Sequence, residues 1–267
     1  MHFTKMHGCG NDYVFVEENE LPECDISMLA KQVSDRKKGI GSDGLIVISG
    51  SDVADVRMKM YNADGSVGKM CGNGIRCLSK YAFEKMLTIK TRFLVETDSG
   101  IKDVSLHCRD YKVQTVTVGM GRPKINEKEL KYNIDGTTYI ITSVDMGNPH
   151  AVIFVPDPDD IDIRAAGTFL DGHGTFPDGV NTEFVQVINS DVLMMRVWER
   201  GSGETLACGT GACAAAVTGY IMGRCKSRVK VAMRGGTLDI EYDEMSGEIF
   251  MTGEAVEVFQ GEWLMES

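Results

Sequence analysis

The feature that most constrains how this chain folds is a repeat within its own sequence. Cys208 stands 137 residues after Cys71 (208 − 71), and each cysteine precedes a Gly-x-Gly. Two further pairs of polar residues have the same separation, Asn11 with Asn148 and Asn62 with Glu199. The offset is about half of the 267 residues, which is far too long for the period of a solenoid. The repeat therefore predicts two copies of one fold, joined near residues 115–120.

Hydrophobic periodicity predicts more than a dozen strands and about four helices. The helices are expected at 26–33, at 161–169, after Cys71 as far as residue 87, and after Cys208 as far as residue 222. Strands and helices do not alternate one for one, so a doubly wound parallel sheet is not expected. We predict an α+β fold of two pseudo-symmetric domains, each a curled, mostly antiparallel sheet wrapped around a central helix. The predicted N-terminal lobe covers residues 1–117, completed by 259–267, and the C-terminal lobe covers 118–258.

Composition and charge exclude several classes of protein. The chain is 43% hydrophobic and 25% charged, as in a water-soluble globular protein. No apolar run approaches the ~20 residues that cross a bilayer, and the first residues contain no apolar stretch typical of a secretory signal. The net charge of −11 argues against a nucleic-acid partner. We therefore expect a cytoplasmic protein that acts on a small molecule.

Neither a metal nor a cofactor is predicted. The eight cysteines contain no Cys-x-x-Cys pair, and no His-x3-His accompanies them, so a structural zinc site is not supported. Residues 39–44 have the G-x-G-x-x-G spacing of a dinucleotide site, but a strand-like run at 45–48 follows where that motif requires a helix. Disulfides are not expected in a reduced chain of this size.

The two Cys-Gly-x-Gly turns indicate acid–base chemistry. Each reads as the start of a helix, where unpaired backbone N–H groups attract an anion such as a carboxylate. A cysteine there is expected to have a lowered thiol pKa. If both turns share one carboxylate, the neighbouring carbon lies between two sulfur atoms, one removing its proton and the other returning a proton to the opposite face. One thiolate and one thiol are needed, so the pair titrates together.

Many of the cysteines, asparagines and charged residues of this sequence can have purely structural roles. Cysteines 9, 24, 108 and 225 are expected to be small buried apolar residues, and Cys77 and Cys213 to belong to the cores of the two helices. Asn11, Asn62, Asn148 and Asn181 are also typical turn residues. Instead of a functional role, His150 can have a purely structural one, and Glu199 and Arg200 can form an exposed ion pair.

Six stretches, taken together, resemble the diaminopimelate epimerase family. They are KMHG-x-GND (5–12), YNADGS (61–66), CGNGIRC (71–77), MGNPHA (146–151), GVNTEF (179–184), and WERG (198–201) running on to ACGTG (207–211). The two cysteine motifs alone also fit the wider group of cofactor-independent racemases, which includes proline racemase. The Gly-Asn-Pro-His and Glu-Arg-Gly segments narrow the resemblance to the one family.

The resemblance implies cofactor-independent epimerisation of LL-diaminopimelate to the meso form, in lysine and peptidoglycan-precursor synthesis, by a homodimer. It implies that Cys71 and Cys208 are the two acid–base groups, supported by His150 and Glu199. The implied substrate-binding residues are Asn11, Asn62, Gly72, Asn73, Asn148, Asn181, Glu199, Arg200, Gly209 and Thr210. One position departs from the pattern: some members have a substrate-contacting glutamine where this chain has Gly44, so that contact is not carried over.

Two other functions remain open from the residues alone. One is a racemase of a different amino acid, against which Arg200 and the four asparagines argue because a small apolar substrate needs few polar partners. The other is a non-catalytic binding or redox protein in which the paired cysteines form a reversible disulfide.

Overall fold

The computed structural model describes residues 1–134 and 136–264. The contacts among them divide the chain into two units. Unit 1 is Met1–Val118 with the described part of Gly253–Ser267, and unit 2 is Gly119–Thr252. The described part contains four α-helices and eighteen strands, which confirms the α+β class. Within it, no helix is both long enough and apolar enough to cross a membrane.

The helices are α1 (Ile26–Ser34), α2 (Gly72–Glu84), α3 (Ile163–Asp171) and α4 (Gly209–Ile221). The strands are β1 (His2–Gly8), β2 (Asn11–Glu17), β3 (Gly44–Ser49), β4 (Val56–Asn62), β5 (Val67–Gly68), β6 (Arg92–Thr97), β7 (Gly100–Arg109), β8 (Lys112–Gly121), β9 (Lys124–Ile134), β10 (Thr137–Asp145), β11 (Pro149–Phe154), β12 (Asn181–Asn189), β13 (Val192–Glu199), β14 (Gly203–Thr205), β15 (Arg228–Met233), β16 (Gly236–Asp243), β17 (Glu248–Glu254) and β18 (Val256–Glu262).

The two units have the same strand order. In unit 1 the pairing runs β18-β1-β2-β3-β4-β6-β7-β8, with the short β5 also on β4. In unit 2 it runs β9-β10-β11-β12-β13-β15-β16-β17, with β14 also on β13. Parallel pairs stand at the same places in both orders, β2–β3 and β4–β6 against β11–β12 and β13–β15. The repeat in the sequence is thus a repeat of topology.

Each unit buries one helix among its strands. Helix α2 packs against β1, β2, β4 and β7, and α4 packs against β10 to β13, β15 and β16. Because α4 consists mainly of alanine, glycine and other small residues, it has no polar face and is buried on nearly every side, as the sequence predicted. Cys77 and Cys213 are fully buried within α2 and α4, which confirms their assignment to the cores.

Helix α2 ends at Glu84 rather than at residue 87, so the predicted length was wrong. Met86 adopts a positive φ of 63°, and the backbone N–H groups of Met86 and Leu87 donate to the carbonyls of Phe83 and Ala82. These bonds form a Schellman cap, which satisfies the last carbonyls and terminates the helix. Met86 keeps helical spacing in the sequence, but its side chain is 72% exposed.

Strand β9 is an element that hydrophobic periodicity does not indicate. It carries mostly exposed and often charged side chains, so it lacks an apolar alternation and is held by backbone pairing to β10.

The expected burial of four cysteines was only partly confirmed. Cys9 and Cys225 are buried as expected, whereas Cys24 and Cys108 are exposed. Cys24 lies in the bend before α1, and Cys108 lies near the end of β7, where the strand extends into solvent.

Candidate active site

The first group of predicted site residues surrounds Cys71, the N-cap residue of α2. The backbone N–H of Gly74 donates to Cys71 Sγ at 3.4 Å, and the thiol donates to Asn11 Oδ1 at 3.1 Å. We call Asn11, Asp43, Cys71, Asn73 and Arg76 the Cys71 cluster. Its thiol is only half-buried, so a substrate has access to it.

Asn11 is held in one orientation. Its Nδ2 donates to Asp43 Oδ2 at 2.8 Å, and its Oδ1 also accepts from Asn73 Nδ2 at 3.3 Å. Since the amide oxygen must face away from Asp43, it faces the Cys71 thiol. The structure therefore gathers three of the predicted residues, Asn11, Cys71 and Asn73, in one hydrogen-bonded group.

The second group surrounds Cys208, the N-cap residue of α4. Cys208 Sγ lies 3.5 Å from Thr210 Oγ1, which accepts from Asn148 Nδ2 at 3.4 Å. Asn148 Oδ1 is 3.1 Å from His150 Nε2, and His150 Nδ1 is 2.7 Å from Glu183 Oε1. We call these five residues the Cys208 cluster.

The environment of Cys208 differs from the one expected for a helix N-terminus. Burial, and then the charges of Glu199 and Glu183, raise the pKa of the Cys208 thiol well above its ordinary value, and the contact with Thr210 only partly opposes them. The predicted lowering of the thiol pKa is therefore wrong for Cys208. Here the loss of hydration outweighs the helix end, so the thiol form is favoured.

The remaining predicted residues of unit 2 lie around the end of β13. Asn181 Oδ1 accepts from the backbone N–H of Arg200 at 3.0 Å, and Asn181 Nδ2 donates to the carbonyl of Pro149 at 3.0 Å. Arg200 is exposed and donates to the carbonyl of Asp178 at 2.8 Å, while Glu199 accepts from the hydroxyl of Thr205. In the part of the chain that the structure describes, no group of three or more His, Cys, Asp or Glu side chains is arranged to hold a metal ion.

Comparison with models of known protein families identifies the family of this chain. The model described as diaminopimelate epimerase matches residues 3–126 and 142–258. The chain belongs to the diaminopimelate epimerase family. The diaminopimelate epimerase of Parabacteroides distasonis is 50% identical to this chain, over 98% of this chain and 97% of the relative. The diaminopimelate epimerase of Bacteroides thetaiotaomicron is 48% identical, over 97% of each chain.

Solved structures with low sequence identity share the fold. A phenazine biosynthesis protein of the PhzF family from Bacillus anthracis has a TM-score of 0.76 at 17% identity, covering 99% of both chains. A hydroxyproline epimerase from Agrobacterium vitis, with bound trans-4-hydroxy-L-proline, has a TM-score of 0.72 at 16% identity and covers 98% of this chain and 90% of its own. These two structures show that the fold of this chain occurs in proteins of low sequence identity to it.

Gly44 is the position at which the sequence analysis expected a substrate contact to be absent. Gly44 pairs with Asn62 across β3 and β4, and Asn62 Nδ2 donates to Ser66 Oγ at 2.9 Å. A Cβ at Gly44 would clash with the carbonyl oxygen of Tyr61 and lie 3.0 Å from Cε1 of Tyr13. The carbonyl of Tyr61 and the ring of Tyr13 thus occupy the space that a side chain at position 44 would need.

Sequence reasoning missed four residues of the clusters or next to them. Asp43 accepts from Asn11 Nδ2 at 2.8 Å. Arg76 is fully buried and donates to Asn73 Oδ1 at 2.8 Å and to the carbonyl of Gly72 at 3.0 Å; the signal was its place three residues after Asn73 on a helix. Glu183 is fully buried beside His150, and it lies within the family segment GVNTEF. Burial, and then the neighbouring Cys71, raise the pKa of Tyr13, which stands 137 residues before His150.

Proposed function

We propose that this chain converts LL-2,6-diaminopimelate to meso-diaminopimelate without a cofactor, in lysine and peptidoglycan-precursor synthesis. The observation that carries the proposal is the family match over most of the chain. The topology supports it, because each unit has a cysteine as the N-cap residue of its buried helix. A thiol at the start of a helix suits acid–base chemistry at a carbon next to a carboxylate, because the helix end attracts the carboxylate.

Cys71 and Cys208 act as the two acid–base groups. A thiolate on one cysteine takes the α-proton, and the electrons of the broken C–H bond remain on the substrate as an enediolate. The thiol of the other cysteine returns a proton to the opposite face of that carbon. At the end of a turnover the two sulfurs have exchanged roles, so a proton must pass through water before the same direction runs again.

The first turns of α2 and α4 stabilise the charge that develops. Backbone N–H groups there have no partner within the helix, and they carry partial positive charge. Gly72 and Asn73, with Gly209 and Thr210, direct such groups at the reacting carboxylate. Their contribution is largest in the enediolate, because its oxygens carry more negative charge than those of the substrate.

The polar residues around the two clusters bind the rest of the substrate. The exposed guanidinium of Arg200 suits the distant carboxylate, which it can hold through two parallel hydrogen bonds. The asparagines and Glu199 bind the remaining amino and carboxylate groups. His150 acts indirectly, through Asn148, because both of its ring nitrogens face protein atoms.

The test is exchange of the α-hydrogen. In deuterated water and with a reductant, the chain is expected to incorporate deuterium into LL-diaminopimelate as the meso form appears, and Cys71→Ala or Cys208→Ala is expected to lose turnover by at least about 10³-fold. Cys24→Ala and Cys108→Ala are matched controls, since both cysteines are exposed and outside the clusters. Full activity in either cluster variant refutes the two-thiol mechanism, and turnover of proline in a substrate panel would instead favour a proline racemase-like function.

We extend the proposal to a homodimer in the cytoplasm, in which the two units defined by the contacts act as the two lobes. Members of the family are commonly homodimers, and all eight cysteines are free thiols, as suits a reducing compartment. Light scattering of the purified chain measures the mass of the assembly, and a monomeric mass would contradict the dimer.

A further inference from the structure

Glu183 and His150 form a fully buried pair of titratable side chains, of which the proposed chemistry uses His150 only indirectly and Glu183 not at all. Both are 0% exposed, and Glu183 Oε1 lies 2.7 Å from His150 Nδ1. The other carboxyl oxygen, Oε2, is buried and has no hydrogen-bond partner among the described residues. A carboxylate with one bare oxygen is costly in such a place, and burial raises the pKa of Glu183 although His150 opposes the shift.

The pair is connected to the Cys208 sulfur by three further contacts. They run from His150 Nε2 to Asn148 Oδ1 at 3.1 Å, from Asn148 Nδ2 to Thr210 Oγ1 at 3.4 Å, and from Thr210 Oγ1 to Cys208 Sγ at 3.5 Å. His150, Asn148 and Thr210 each have both ends engaged, so the direction of one hydrogen bond fixes the direction of the next.

The arrangement seen requires two protons on the pair. Asn148 Oδ1 can only accept, so His150 Nε2 must carry a proton. The short contact between His150 Nδ1 and Glu183 Oε1 needs a second proton, because two lone pairs would repel at 2.7 Å. The pair as a whole is then neutral, whichever of the two atoms holds the shared proton.

We infer that Glu183 and His150 are positioning residues that set the direction of this hydrogen-bond chain and thereby determine whether the thiolate or the thiol of Cys208 is stabilised. The inference rests on the proposed function only in giving Cys208 an acid–base role. With the shared proton in place, Asn148 donates to Thr210, whose own hydroxyl hydrogen is then free to donate to sulfur. A donor at sulfur stabilises the thiolate.

Loss of the shared proton reverses the direction of the hydrogen bonds between His150 and Cys208. Glu183 becomes a carboxylate that accepts from His150 Nδ1, and Nε2 is left with a lone pair. Asn148 must then turn its amide to donate to Nε2, so its oxygen accepts from the Thr210 hydroxyl. Thr210 can now only accept from the Cys208 S–H, which stabilises the thiol, and the proton released from the pair goes to water.

Unit 1 shows what the same framework looks like without the pair. Tyr13 and Ile46 stand 137 residues before His150 and Glu183, and the register agrees: Tyr13 pairs with Gly44 as His150 pairs with Asn181. A Cβ at Gly74 would lie 2.7 Å from Ile46 Cδ1, and one at Gly211 would lie 2.6 Å from Glu183 Oε1. The positions are therefore equivalent, and only unit 2 has an acid and a base there.

Two titratable groups outside the pair, Glu199 and Cys208, lie on neighbouring elements. His150 is on β11 and Glu183 is on β12, Glu199 lies at the end of β13, and Cys208 precedes α4. Glu199 adds negative charge to both Glu183 and Cys208, so it favours the protonated form of each. Its effect is the same in all the variants below, because none of them changes Glu199.

The decisive experiment measures the ionisation of Cys208 without substrate. The ultraviolet absorbance of thiolates is measured against pH for the unmodified protein and for Glu183→Gln. Each is also measured with Cys208→Ala added, and the difference between the two curves is the signal of Cys208. In Glu183→Gln the direction of the hydrogen bonds does not reverse as pH rises, and no carboxylate charge develops at position 183. The midpoint of Cys208 is therefore expected to fall by about one pH unit or more, a tenfold gain in thiolate at a given pH.

Two measurements keep the inference falsifiable. Glu241→Gln, which removes an exposed carboxylate on β16, is the matched control and is expected to leave the midpoint unchanged. In the unmodified chain, ¹⁵N NMR of the His150 ring is expected to show a proton on Nε2 at neutral pH. An unchanged midpoint in folded Glu183→Gln, or an unprotonated Nε2, overturns the inference. Neither result bears on the proposed function, which is measured separately by hydrogen exchange in the unmodified chain.

Discussion

Arg76 carries a positive charge into the interior of unit 1, where its side chain is fully buried. It donates to Asn73 Oδ1, to the carbonyl of Gly72 and to the carbonyl of Glu254. A sequence alone gives little sign of such a residue, because an arginine on a helix is usually solvated. Its role depends on which acceptors the fold brings within reach, and two of them belong to the helix turn that follows Cys71.

Replacing Arg76 with methionine is expected to lower the free energy of unfolding by about 3 kcal/mol, because buried acceptors lose their donors while the apolar stem is kept. Chemical denaturation measures this change. Arg92→Met is the control, since the side chain of Arg92 is 75% exposed and its solvated ion pair with Asp103 contributes little to stability. Equal losses in the two variants would show that the buried contacts of Arg76 contribute nothing.

At the scale of the elements, the helices that follow the two cysteines were predictable because a cap, a glycine pair and helical apolar spacing coincide there. The strands β3 and β4 were also predictable, from a continuous apolar run and from a strict alternation respectively. Helix α2 was predicted too long because Met86 continues the spacing while its backbone leaves the helix. Spacing reports where side chains would face, whereas the cap that ends a helix depends on backbone bonds.

The close packing of the central helices against β3 and β12 leads to an element-scale prediction. Gly211→Ala places a Cβ 2.6 Å from Glu183 Oε1, so the variant is expected to lose about 1–3 kcal/mol of stability although alanine favours helices. Thermal and chemical unfolding measure the loss. Combining Gly211→Ala with Glu183→Ala is expected to cost less than the sum of the single changes.

Gly172→Ala, at the end of α3, is the control because the nearest atom to its Cβ would be 3.6 Å away. Additive losses in the double variant would indicate that Gly211 and Glu183 do not compete for the same space.

At the scale of the whole molecule, the repeat was visible from a few polar residues, but the exact point at which the chain returns to complete unit 1 was not. The chain leaves unit 1 within β8 and returns within β17, and the contacts divide it after Val118 and after Thr252. The sequence reading had placed the divisions at 117 and 258. The second estimate differs because β17 and β18 are separated by a single residue, and nothing in their composition marks a boundary.

Strand β18 is expected to be essential to unit 1. It pairs along β1 from His2 to His7, and the ring of Phe259 packs edge-on against Phe3 at 5.8 Å between centroids. Ending the chain after Ala255 is expected to lower the thermal midpoint by roughly 10 °C. Ending it after Trp263 keeps β18 and the backbone bond from Trp263 to Met1, so that chain is the control. A stable chain without β18 would show that β1 needs no partner on that side.

The pairing of β1 with β18 also bears on how the molecule is made. Along the sequence β1 precedes β2 to β17 and β18 follows them, so β1 must wait until those strands are translated before it acquires that neighbour. The strands of unit 2, β9 to β17, are all translated before β18. We therefore expect unit 2 to have all of its strands before unit 1 does, the opposite of the usual N-terminal-first order of co-translational folding.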